Sequence, residues 1–198
     1  MSVFSTFEAA TRPTLTRAAL VAGPGLSKAN AELERIAPSY GEASILIDPE
    51  CTRIAVREAF AAADVLHIAS HARFRSDNPL FSVLEVADGP LFVHELETLP
   101  SVPSVVVLAA CDTAAVADTG LDFTGFVSTL LALGARTVIA AVTPVPDTKE
   151  TSDVMAAFHA NLADGRRPSE ALAAARSVTP DSPLGTLAAN TFQVFGWG

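Results

Sequence analysis

Two short segments hold the side chains best suited to covalent chemistry: ASHARF, residues 69–74, and LAACDT, residues 108–113. A thiol attacks a carbonyl as the thiolate, and an imidazole within hydrogen-bond reach can remove the thiol proton and later return it to a leaving amine. His71 and Cys111 are therefore the pair to weigh for nucleophilic catalysis, against the commoner state of a lone buried cysteine as a small hydrophobe.

Rival chemistries fail on spacing. His67 and His71 have the separation of an H-E-x-x-H metal helix, but position 68 is Ile and the run VLHIA reads as strand. VAGPGLSK opens like a dinucleotide loop, yet Lys28 stands where a third glycine is needed. A Cys-x5-Arg phosphatase loop from Cys111 requires Arg at position 117, which is Ala117, and neither a G-x-x-x-x-G-K-[ST] loop nor a G-x-S-x-G elbow occurs. No metal and no other cofactor is expected.

Segments this far apart need a scaffold to meet. Strand-sized apolar runs recur at 18–22, 43–47, 65–69, 105–109, 137–142 and 191–195, mostly continuous rather than alternating, as when both sheet faces are covered. Helical stripes lie between them. Thr52 caps a segment with Val56, Ala59, Phe60 and Ala63 on one side, and Ser27 caps a weaker helix over Leu26 to Ile36. Phe123, Phe126, Val127, Leu130 and Leu131 form a third stripe stopped by Gly134; TSDVMAAFHANLADG ends likewise at Gly165, and Pro168 opens a further helix.

This alternation predicts right-handed βαβ units and an α/β fold, with a mostly parallel sheet of about six strands between helical layers. Residues 80–96 break the rhythm and read as a β-hairpin turning at Asp88-Gly89, followed by a short helix near His94. Ligands collect at the carboxyl ends of strands in such sheets. On this reading His71 follows the third strand by two residues and Cys111 follows the fourth by two, so that neighbouring strands bring their tips side by side.

With 198 residues, 49% hydrophobic and 18% charged, the chain is sized for one ordered domain. We assign residues 1–14 to a polar lead-in and 15–198 to the domain. A net charge of −9 argues against a nucleic-acid partner, whose phosphates are bound largely by Lys and Arg. Two cysteines and the lack of a leader-like opening point to a reducing, cytoplasmic setting. The longest apolar stretch, 127–142, contains Gly134 and Arg136 and is too short to span a bilayer.

The ordered set DVLHIASHARFRSDNPLFSVLEVADG, VVVLAACDT, TGLDFTGFVSTLLALGARTVIAAVTPVPD, VMAAFHANLADG and EALAAAR resembles the CHAT domain, a bacterial caspase-like group of the caspase/separase class. The likeness runs over roughly residues 15–198, with TFQVFGWG similar to the family's final strand. It implies a caspase-like three-layer α/β/α sandwich and cysteine-dependent cleavage of peptide bonds in a protein or peptide substrate. By motif, His71 in ASHARF corresponds to the catalytic histidine and Cys111 in LAACDT to the nucleophile, with the backbone amides of Cys111 and Ala72 as oxyanion donors. Many members carry Gly after the histidine; if a positive φ were required there, Ala72 would be strained, and otherwise it is harmless.

Other polar residues invite weaker roles. His67 is expected to be structural, with hydrogen bonding near the site as the sharper alternative. Asp112 and Asp147, at strand ends, and Asp122, in the loop after the fourth strand, are candidates for substrate binding, although Asp112 can equally bond loop amides, and Asp118 and Asp122 can equally start the next helix. Cys51 reads as structural. Family members commonly carry helical repeats of the TPR type, absent from this chain, which suggests a separate regulatory subunit or a fragment of a longer protein. Two other readings stay open: a catalytically inactive signalling or protein-binding module, and a flavodoxin-like ligand-binding domain.

Overall fold

The computed structural model describes residues 15–75, 77–112 and 123–197. Its elements are β1 (Arg17–Ala22), α1 (Ser27–Ile36), β2 (Glu42–Leu46), α2 (Arg53–Ala62), β3 (Val65–Arg73), β4 (Val83–Val86), β5 (Gly89–Phe92), β6 (Val105–Asp112), α3 (Phe123–Ala132), β7 (Thr137–Ala141), α4 (Lys149–Ala163), α5 (Pro168–Arg176), α6 (Pro183–Thr191) and β8 (Phe192–Gly196). The central sheet runs β2-β1-β3-β6-β7-β8. It is parallel except for β8, which lies antiparallel to β7.

Period-two alternation divides the strands between two cores. Leu66, Ile68 and Ala72 of β3 pack with Val56 and Phe60 of α2 and Phe126 and Leu130 of α3. On the opposite face Val65 and Ala69 join Leu33 and Ile36 of α1, Val154 and Phe158 of α4 and Leu172 of α5. Both faces are therefore covered, which is why the strand sequences are continuously apolar, and the result is a caspase-like α/β/α sandwich.

The expected hairpin is β4-β5, turning through Ala87 and Asp88 with Gly89 at φ +118°, a conformation that favours glycine. A 3-10 helix over Val93–Thr98 follows. Thr52 caps α2, its hydroxyl accepting from the Ala55 amide at 3.3 Å.

Three local expectations change. Ser27 is the first residue of α1 rather than its cap; Leu26 holds the cap position without a side-chain bond. Helix α6 was not read from the sequence, although Ser182 accepts from the Gly185 amide at 3.1 Å and Pro183 occupies the first turn. Finally, β3 continues to Arg73 and β6 to Asp112, so positions 71 and 111 lie within strands and not beyond them.

Candidate active site

The extension of β3 has a cause in its neighbours. Strand β1 pairs with β3 only as far as Ala22 opposite Ala69, and β4 then takes the same edge, antiparallel, at Ala72 opposite Leu84 and Arg73 opposite Val83. On its other edge β3 stays paired with β6 throughout, ending in the register His71↔Cys111 and Ala72↔Asp112. The backbone thus sets positions 71 and 111 directly opposite each other on neighbouring parallel strands, at the end of the sheet where α/β proteins bind ligands.

The change of neighbour is built around Ser70. This buried residue donates its hydroxyl to the Glu85 carbonyl at 2.6 Å and also approaches the carbonyl of His71 at 3.0 Å. The Gly23 amide bonds the Ala69 carbonyl at 2.8 Å. A Cβ on Gly23 would stand 2.5 Å from Ser70 Oγ and 2.7 Å from the Glu85 carbonyl oxygen, so only glycine lets the chain leave β1 here.

The next residues form one wall of the site. Gly25 has φ +80°, and a Cβ there would lie 3.8 Å from His71 Nε2. Helix α1 starts immediately afterwards, and Lys28 in its first turn donates to the Asp147 carbonyl at 2.7 Å while its ammonium sits 3.8 Å from the Asp147 carboxylate. Asp147 is therefore tied to α1 in an exposed pair. The GPG segment discounted as a dinucleotide loop turns out to border His71, a role its sequence does not signal. Below the hairpin, Arg73 and Glu85 form a 2.8 Å ion pair between β3 and β4.

Ala72 is a buried strand residue paired on both edges, in the extended conformation that alanine adopts freely. The strain that a positive φ would cause does not arise. Asp118 and Asp122 lie outside the described residues, as do the side chains of Cys111 and Asp112. Cys51 is buried, and burial pushes its thiol up to about 11, which keeps it protonated and inert.

His67, four residues before His71 on the same face of β3, belongs to a buried polar chain. Its Nδ1 lies 3.0 Å from His159 Nε2 of α4, and His159 Nδ1 lies 2.6 Å from the Tyr40 hydroxyl. Its Nε2 is 3.2 Å from Glu32 Oε1 of α1, within ion-pair range but off the line of a well-aligned hydrogen bond. Burial, with His67 close by, holds His159 well below the ordinary histidine range. Beside the chain, Arg35 of α1 binds Asp153 of α4 at 2.7 Å and Ser152 at 3.0 Å. Sequence alone could not have found Glu32, Tyr40 or His159, since only the packing of α1 and α4 on β3 brings them to His67.

Among the described residues no group of three or more His, Cys, Asp or Glu side chains could hold a metal ion, and no helix is long and apolar enough to cross a membrane. A caspase-like sandwich with a histidine and a cysteine position facing across two central strand ends defines a recognisable class. The chain belongs to the CHAT domain family, whose model matches residues 6–185. That match begins within the segment read as a lead-in and ends inside α6. A search of curated proteins found no match.

Proposed function

We propose that this chain is a cysteine endopeptidase of the caspase-like CHAT kind, working through His71 and Cys111. The observation that carries the reading is the register His71↔Cys111 on adjacent parallel strands. His71 takes the thiol proton of Cys111 as the sulfur attacks the scissile carbonyl; a C–S bond forms and the carbonyl electron pair moves to oxygen. Collapse of that intermediate expels the amine, which receives the proton from His71. Water, deprotonated by His71, then attacks the thioester, and the leaving thiolate recovers its proton.

The amides of Ala72 and Cys111 serve as oxyanion donors in this scheme. Both residues lie at the last rungs of the β3–β6 register, beside positions 71 and 111. Asp147, Asp112 and Asp122 are the acidic candidates for substrate binding, and a helical-repeat protein is the kind of regulatory subunit that fits a cytoplasmic enzyme of this family.

A second reading is a protein-binding module of the same fold without turnover. Incubating host lysate with the protein and with its Cys111→Ala variant, then comparing new peptide termini by mass spectrometry, separates the two. Termini unique to the unsubstituted protein support the peptidase; identical sets in both samples support the binding module.

A further inference from the structure

Along one edge β3 changes neighbour between Ala69 and Ala72, and the two positions in the gap are Ser70 and His71. Continuing the β3–β4 register by one step would set His71 opposite Glu85, yet the pairing stops at Ala72↔Leu84.

Glu85 is nevertheless turned the right way for that missing rung. The Val93 amide donates to the Ser82 carbonyl at 3.0 Å, so by alternation residues 82, 84 and 86 turn their main-chain groups toward β5, and residues 83 and 85 turn theirs toward β3. Pro90, opposite Glu85 on β5, has no N–H to give.

What the Glu85 carbonyl accepts is a side chain: the Ser70 hydroxyl, at 2.6 Å. The same hydroxyl lies 3.0 Å from the His71 carbonyl, and Ser70 is buried. One hydroxyl carries one proton, and the shorter contact has the stronger claim on it. Gly23 closes the space around the group, as even a Cβ there would stand 2.5 Å from Ser70 Oγ.

We propose that Ser70 is a positioning residue for His71: its hydroxyl occupies the Glu85 carbonyl, stops the β3–β4 ladder one rung short of His71, and keeps the His71 main chain toward β6, opposite Cys111. Strands β4 and β6 flank β3 on opposite edges, so a rung closed to β4 at position 71 would draw the histidine away from position 111. Without the hydroxyl the Glu85 carbonyl needs another donor, and the register makes the His71 amide the next in line. The consequence for Cys111 rests on the proposed peptidase; the placement of the His71 main chain does not.

Two measurements on the full chain separate this role from that of a serine that only adds stability. The first is the rate at which iodoacetamide modifies Cys111 as a function of pH, followed by peptide mass spectrometry. An imidazole within reach keeps thiolate available in mild acid, where an unassisted thiol is almost wholly protonated. His71→Ala should therefore slow the reaction roughly tenfold at pH 6.5 and little at pH 9, and Ser70→Ala should move toward the same profile, with a roughly fivefold loss at pH 6.5. A Ser70→Ala protein with a lowered urea midpoint but the unsubstituted pH profile overturns the proposal.

The second is NMR scalar coupling across hydrogen bonds, which reports a rung between the His71 nitrogen and the Glu85 carbonyl carbon. The coupling is expected to be absent from the unsubstituted protein and present in Ser70→Ala; its presence in the first, or its absence from the second, overturns the proposal. If Ser70→Ala does not fold, the unsubstituted protein decides: no coupling together with a Ser70 hydroxyl proton protected from exchange supports the role, and a coupling or a freely exchanging hydroxyl refutes it. Should the alkylation profiles of the unsubstituted protein and His71→Ala coincide, the dyad fails, and the coupling alone decides for Ser70.

Discussion

Gly23 lies against Ser70 more tightly than any side chain allows: a Cβ on the glycine would stop 2.5 Å from the serine hydroxyl. The hydroxyl is itself engaged with the Glu85 carbonyl at 2.6 Å, and that carbonyl oxygen is the second obstacle, at 2.7 Å from the same Cβ. Because one obstacle is main chain, the clash cannot be relieved by turning a rotamer. Gly23→Ala should cost about 1–3 kcal/mol, the usual range for overpacking a tight interior, measured by urea denaturation. A midpoint equal to that of the unsubstituted protein would show that the β1 exit relaxes easily.

Replacing Tyr40 by Phe keeps the ring and removes the hydroxyl that hydrogen bonds with His159 Nδ1 at 2.6 Å. The ring nitrogen is then buried without a partner, a loss of about 1–3 kcal/mol at pH 7.5. Chemical denaturation of both proteins at that pH tests this, and equal midpoints would show that the hydroxyl adds nothing to stability.

Ala72→Gly distinguishes strain from simple burial. Were alanine strained at this position, glycine would stabilise the protein. Since Ala72 is an extended residue paired on both edges, glycine should instead cost about 0.5–1 kcal/mol through backbone entropy and lost packing. A rise in thermal midpoint is the result that would restore the strain argument.

The thiol of Cys51 is buried and pushed up to about 11, so almost none of it is thiolate at pH 8. Iodoacetamide at that pH should leave Cys51 unmodified in the native protein and label it promptly in 6 M guanidinium, as peptide mass spectrometry can follow. Native labelling at the denatured rate would mean that the α2 end of the core opens freely.

Much of the scaffold was legible because its signals are local. Thr52 caps α2, Gly134 and Gly165 end helices at positive φ, and the hairpin turns at Asp88. What escaped the sequence is non-local. His71 is a strand residue rather than a post-strand one because β4 folds back on β3, and nothing within VLHIASHAR announces that pairing. Helix α6 was hidden by Gly185 and by threonines at 186 and 191, which blur a helical stripe, although its Ser-Pro start was readable. The structural expectation for His67 needed partners on α1 and α4 that no spacing rule connects to it.

The strand that carries His71 has two successive neighbours along one edge, β1 as far as Ala69 and β4 from Ala72. The β1 pairing ends at Ala69 and β4 meets β3 only at Ala72 and Arg73, so β4 and β5 form an attachment at the end of the parallel sheet. Such an attachment can be lengthened, shortened or exchanged without re-registering the strands that hold positions 71 and 111. Variation among related chains can then fall on the rim beside His71 while the register of the pair is inherited unchanged.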